Sequence, residues 1–190
     1  MGEFSNAFTQ LGNKGHLTIK QKGLAADDLA AWIVGKKKDF GIDEIWLISS
    51  DKDWDLLIQD KVSRFSTVTR KEITLDNWED HYDVEPDKYL TLKCLAGDTG
   101  DNVPGIAGIG PKRAVSLIEQ YGDLFDIYNA CPIDSKYKFI QTLNENADRL
   151  LLNAELMDLE SYSEQALIEA DMNLEDLSSQ IQEYLNEVRD

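Results

Sequence analysis

The 190-residue chain has only two cysteines, Cys94 and Cys131, and two histidines, His16 and His81. Two cysteines so far apart make neither a disulfide framework nor a paired metal knuckle, so reduced, buried thiols are expected. Neither histidine stands in a motif, and nothing suggests a serine, cysteine or histidine nucleophile. Long apolar stretches are missing as well. No run of 18 apolar residues exists to cross a bilayer, and the opening Met1-Gly2-Glu3-Phe4-Ser5 is neither basic nor hydrophobic as a secretory leader would be. A soluble, cytoplasmic protein with no membrane partner is the expectation.

Positive charge is the third shortage. Against 36 acidic side chains stand 19 basic ones, a net charge of −17 that repels a phosphate chain at long range. The excess is uneven: residues 131–190 carry 14 acidic and 4 basic side chains, a net of −10, which leaves −7 for residues 1–130. The cations cluster at Lys36-Lys37-Lys38, Lys61/Arg64, Arg70/Lys71 and Lys112/Arg113. Each cluster alone reads as a solvated face; only the last has a motif behind it. The length and an apolar content of 42% suit one domain, or one domain with a small appendage, and neither a repeat nor a low-complexity linker interrupts the chain.

What is present is concentrated in Gly97-Asp98-Thr99-Gly100-Asp101-Asn102-Val103-Pro104-Gly105-Ile106-Ala107-Gly108-Ile109-Gly110-Pro111-Lys112-Arg113-Ala114. Its first half holds two carboxylates at i,i+3 spacing, where a helix from Tyr89 to Leu95 should be ending; that spacing can converge both on one ion. Its second half reads as a glycine-rich hairpin opening a helix. Gly105, Gly108 and Gly110 let backbone N–H groups approach a bulky anion, and Pro111 suits the first helical turn. The positive end of the helix, with Lys112 and Arg113 beside it, is suited to a nucleic-acid phosphate gripped without regard to sequence. The plain alternative is a glycine-rich interhelical turn capped by solvated cations.

Two further acidic pairs precede it. Asp27 and Asp28 fall in the first turn of an amphipathic helix led in by Gly23-Leu24-Ala25-Ala26, where helix capping alone would explain them. Asp51 and Asp53 follow the apolar run Glu44 to Ser50, of the kind buried in a parallel sheet, and sites in such sheets lie beyond the carboxyl ends of strands. Hard oxygen donors at this density suit Mg²⁺ or Mn²⁺, and six carboxylates gathered without a cation would repel one another. The chemistry implied is metal-assisted phosphodiester hydrolysis. Around these sites, short strands are expected at His16–Lys20, Val62–Val68 and Arg70–Ile73. Helices are expected from an N-cap at Asp76, from Pro86, over Ala114–Tyr121, over Leu124–Ala130, as one long element from Asp134 to Asn153, and as an acidic tail from Asp171.

The three pairs and the Gly-Ile-Gly-Pro-Lys-Arg hairpin together resemble the 5′-nuclease family of flap endonucleases and 5′ to 3′ exonucleases, the phage type above all. The resemblance runs from about residue 8 to the end. It implies that Asp27, Asp28, Asp51, Asp53, Asp98 and Asp101 are metal ligands, and that Gly105, Gly108, Gly110, Lys112 and Arg113 hold DNA. The expected fold is α/β: a partial, truncated PIN-like parallel sheet with flanking helices over residues 1–75, then a helical DNA-binding region with a helix-hairpin-helix over residues 76–190. Two departures qualify the resemblance. Where the family has Gly-x-Glu-Ala-Asp-Asp, this chain has Ala25 in place of the glutamate; and the family's first strand, its aspartates and its Lys/Arg-rich arch have no counterpart before residue 8. The family's two ions are therefore expected to be reduced to one here. The implied function is a Mg²⁺-dependent 5′ to 3′ exonuclease or flap endonuclease acting on branched DNA or 5′ single-stranded ends in a phage or bacterial host cell. It would be incomplete unless a separate chain supplies the amino-terminal portion. A non-catalytic DNA-structure binder, half of a split nuclease, or an acidic interaction protein are the alternatives.

Overall fold

The computed structural model describes residues 9–189. They form two compact units, one made of the chain up to Asp43 together with that from Glu160 onward, the other of Glu44–Leu159.

In the second unit a three-stranded sheet comes first: β1 (Ile45–Ile48), β2 (Val62–Ser66) and β3 (Lys71–Ile73), in that spatial order. β1 and β2 run parallel with Leu47 opposite Arg64; β3 returns antiparallel with Ile73 opposite Arg64. The crossover between the parallel pair contains a single 3₁₀ turn, Asp53–Leu57, rather than a full helix. Because successive side chains alternate between faces, β1 buries Leu47 while Trp46 and Ile48 remain 43% and 59% exposed. The run expected to be buried throughout is thus covered on one side.

Arg64, expected on a solvated face, is instead buried under this sheet. Its Nη2 donates to Asp55 Oδ2 at 2.8 Å, its Nε donates to Asp55 Oδ1, and its Nη1 donates to the Ser49 carbonyl at 3.0 Å. The Tyr82 hydroxyl also donates to Asp55. A charge taken out of water is tolerated only when paired in this way.

The helices follow. A 3₁₀ turn at Trp78–Asp80 stands where an N-capped helix was expected. The reason is local: Asn77 Oδ1 accepts from the Thr74 N–H at 2.8 Å, and Thr74 Oγ1 accepts from the Asn77 N–H at 3.2 Å, so both polar side chains serve a turn instead of a helix start. A second 3₁₀ turn, Pro86–Lys88, leads into α2 (Tyr89–Ala96), α1 being in the other unit. Next come the short strands β4 (Gly97–Asp98) and β5 (Val103–Pro104), which pair antiparallel. Then α3 (Pro111–Tyr121) stops at Gly122, and α4 (Leu124–Ala130) starts from a complete Asp123/Asp126 capping box. The single helix expected from Asp134 to Asn153 is two, α5 (Lys138–Glu145) and α6 (Asp148–Met157). Asn146 separates them, its side-chain amide donating to the Thr142 carbonyl at 2.8 Å, which ends the ladder of α5. Leu95, Ile106, Ile109, Leu117, Ile127, Leu143 and Leu150 fill the core between these helices.

The first unit is helical. It holds α1 (Ala26–Gly35), α7 (Leu159–Glu169), which was not foreseen, and α8 (Leu174–Arg189). Trp32, Phe40, Leu167, Leu177 and Ile181 form its core, with the Trp32 and Phe40 rings edge-on at 5.8 Å. His16–Lys20, expected as a strand, has no ladder partner among the described residues. No helix among the described residues is long and apolar enough to cross a membrane.

Asp55→Ala is expected to cost about 3–5 kcal/mol in urea unfolding, because it strands the buried Arg64 guanidinium. Tyr82→Phe, which removes one hydrogen bond and no charge, should cost about 1 kcal/mol.

Candidate metal centre and nucleic-acid interface

Asp53 opens the 3₁₀ turn after β1, Asp98 ends β4, and Asp101 lies in the turn before β5. Carboxylate oxygens from these three lie within 4.8 Å of one another. What brings Asp98 and Asp101 together is a tight turn after the helix has ended: Asp98 Oδ1 accepts from the Gly100 N–H at 2.7 Å and the Asp101 N–H at 3.3 Å. Asp51 faces differently, its Oδ1 accepting from the Asp53 N–H at 3.1 Å, and so shapes the turn that presents Asp53.

Lys93 was not read from the sequence. It projects from α2, is 7% exposed, and donates to Asp53 and, at 2.8 Å, to Asp98. Burial pulls its ammonium toward neutrality, but hydrogen bonds to Asp53 and Asp98 outweigh that and raise its pKa. The only available signal was a lone charge inside the otherwise apolar or neutral helix Tyr-Leu-Thr-Leu-Lys-Cys-Leu-Ala. Lys93 in turn lowers the Asp98 pKa, chiefly by its hydrogen bond. Asp101 goes the other way. A hydrogen bond with Asp53 and the repulsion of its charge push the Asp101 carboxyl up to about 6. One ammonium therefore does not neutralise three carboxylates, and a set of hard oxygen donors with charge to spare fits a divalent cation.

Asp27 and Asp28 occupy the first turn of α1, in the other unit. Burial and the neighbouring Asp27 raise the Asp28 pKa, while a hydrogen bond from the Ala25 backbone lowers it. Ala25 is the N-cap and offers no side chain of its own, so Asp28 supplies half of a capping box.

The hairpin joins the acidic turn directly. The Ile106 N–H donates to the Leu95 carbonyl at 2.9 Å, and Ile106 and Ile109 are buried at 3% and 4% exposure as anchors on either side of Gly108. Gly105 is required by contact: a Cβ there would stand 2.3 Å from the Ala96 carbonyl carbon and 2.4 Å from the Gly97 nitrogen. Gly108 is required by conformation, with φ at +86°. At Gly110 a Cβ would meet nothing within 4 Å, so internal packing does not ask for glycine at this N-cap of α3. Lys112 and Arg113 are both exposed. Arg113 donates to the Gly108 carbonyl through Nη1 and lies 4.5 Å from the Phe139 ring centroid, two contacts that together hold one edge of the exposed guanidinium. Asn153 of α6, fully buried, closes the arrangement by donating to the Cys94 carbonyl at 2.9 Å and the Pro104 carbonyl at 3.0 Å.

Residues 84–184 match the family model described as "5′-3′ exonuclease, C-terminal SAM fold". The chain belongs to the 5′-3′ exonuclease family. It is 42% identical over 151 residues to the flap endonuclease of Escherichia phage T5, a match covering 79% of this chain and 52% of that protein. It is 34% identical over 141 residues to DNA polymerase I of Rhizobium leguminosarum, covering 74% of this chain and 14% of the polymerase. A solved structure of T5 5′-exonuclease with divalent metal ions (zinc) bound superposes with a TM-score of 0.83 at 37% identity, covering 98% of this chain and 67% of that one. The T5 flap endonuclease in a complex with DNA and metal ions gives 0.81 at 37% identity, over 94% and 65% of the two chains. This family member thus spans about half the length of the phage T5 flap endonuclease sequence it matches.

In the metal-free protein Asp101→Asn should raise the melting temperature, because it removes a charge that Asp53 and Asp98 oppose. The same change should abolish most of the stabilisation that millimolar Mn²⁺ gives the wild type, which is about 2.7 kcal/mol when the ion is at 100 times its dissociation constant. Gly105→Ala forces backbone apart at the junction, so the Mn²⁺-induced shift in melting and the affinity for DNA should fall together.

Proposed function

We propose that this chain carries the metal-holding and DNA-holding part of a 5′ nuclease, whose reaction is divalent-metal-dependent hydrolysis of phosphodiesters at 5′ ends of branched DNA. The observation that supports this most is the joint between two halves of one loop: the acidic turn at Asp98–Asp101 and the hairpin at Gly105–Gly110 share the Gly97/Gly105 backbone contact. In this reading Asp53, Asp98 and Asp101 hold one Mg²⁺ or Mn²⁺, Asp51 orients Asp53, and Asp27 and Asp28 are candidate ligands by their match to the family's motif. A bound ion would supply a water activated for attack and charge to stabilise the leaving oxygen. Gly105, Gly108 and Gly110 give the hairpin its approach to the backbone, and Lys112 and Arg113 hold phosphates irrespective of sequence. Functionally the division falls near residue 75, with Asp27, Asp28, Asp51 and Asp53 before it and the hairpin after it, although the compact units divide the chain elsewhere.

A second reading, a DNA-structure binder that does not cut, is favoured by Ala25 at the position of the family's glutamate. Titrating a 5′-flap substrate separates the two. Both readings expect binding that weakens with salt, and Lys112→Ala with Arg113→Ala should weaken it on every sequence and flatten its salt dependence by about one to two phosphate contacts. Cleavage on adding Mg²⁺ together with a chain supplying the family's amino-terminal portion, abolished by Asp98→Ala, supports the nuclease; binding without cleavage even in that mixture supports the second reading. Absence of salt-dependent binding to any DNA would sink both.

A further inference from the structure

From the geometry beside the hairpin we infer that Tyr137 is a stacking platform for an unpaired base of the DNA strand whose phosphates the hairpin holds. This inference rests on the DNA-binding reading above and extends it to a contact no motif announced. An exposed tyrosine alone is ordinary. Tyr137 is not alone: at 58% exposure it stacks on Phe139, ring centroids 5.7 Å apart and planes 23° from parallel, and Phe139 carries the Arg113 guanidinium. The hairpin is thereby connected to the exposed ring through Gly108, Arg113 and Phe139 in succession. Arg113, Tyr137 and Phe139 also line a cavity of about 320 Å³, within the range of small-ligand sites.

Charge points to the same occupant. Residues 131–190 contain four basic side chains among 14 acidic ones, and two of the four, Lys136 and Lys138, flank Tyr137. Both are exposed, and the Lys136 ammonium lies 6.0 Å from the Tyr137 ring centroid. In the most acidic third of the chain, an exposed ring bracketed by cations is complementary to a base on one phosphate-linked strand, since every base offers a π-face and every linkage a negative charge. The segment is also held in advance. Ser135 Oγ accepts from the Tyr137 N–H at 3.2 Å, and the Asn144 amide pairs with both the N–H and the carbonyl of Ile133, at 2.8 and 2.9 Å. Ordering the ring on binding therefore costs little.

The test uses the whole chain, a blunt duplex, and the same duplex carrying a single-stranded tail. Tyr137→Ala is expected to weaken binding of the tailed DNA about 5- to 100-fold and leave the blunt duplex unaffected. Tyr137→Trp should keep tailed-DNA affinity, with its added indole fluorescence quenched as DNA is titrated in. Unchanged affinity of Tyr137→Ala for the tailed DNA, an equal loss on both DNAs, or no quenching in Tyr137→Trp at saturation would each overturn the platform, whereas binding of both DNAs by the wild type would keep the DNA-binding reading. If the wild type binds neither DNA, the DNA-binding reading fails and the platform with it.

Discussion

Backbone meets backbone where Gly97 and Gly105 pass each other, and no side chain fits between them. The two-residue strands at this crossing, Gly97-Asp98 and Val103-Pro104, form a ladder too short to persist unaided. It is held from outside by the Ile106 N–H on the Leu95 carbonyl and by the Asn153 amide on the Cys94 and Pro104 carbonyls. The acidic turn and the hairpin are both referred to that crossing. On one side the chain turns back through Asp98 and Asp101; on the other it runs through buried Ile106 and Ile109 into α3 with its exposed Lys112 and Arg113. A displacement here would move carboxylates and cations relative to each other by the same amount.

The second constraint is charge. A chain with 36 acidic and 19 basic side chains has few cations to place, and two are used internally: Arg64 against Asp55, and Lys93 against Asp53 and Asp98. These pairings keep buried carboxylates tolerable. They also remove Arg64 and Lys93 from the surface, while Arg113 and Lys136 stay exposed at the two ends of the Arg113–Phe139–Tyr137 stack. The overall charge is thus a poor guide to this face, where cations and aromatic rings alternate.

The acidic turn and the hairpin were legible because their spacing is local. Asp98 and Asp101 lie within one turn, and Gly108 and Pro111 announce a positive φ and a helix start in the residue types themselves. The same holds for the short strands β2 and β3 and for α4 with its capping box. Lys93 was hidden because one partner, Asp53, is 40 residues away and the other, Asp98, lies past the end of the helix, where helical spacing no longer says which aspartate a lysine will meet. Arg64 was misread as solvated for the same reason. The break at Asn146 and the turn at Trp78 show polar side chains choosing backbone partners that a hydrophobic pattern does not register. At Asp27 and Asp28 the alternative weighed in the sequence, helix capping, is what the fold displays: Asp28 accepts from the Ala25 backbone at the start of α1.

Asn153 reaches across 59 residues to Cys94 and 49 to Pro104. Contacts of such sequence separation close large loops and carry an entropic cost before they return any binding. The acidic turn is therefore held in part by a residue that closes a large loop. The geometry of the acidic turn is thus tied to a helix far away in the sequence, so a change at Asn153 would be felt at Asp98 and Asp101 although it touches neither.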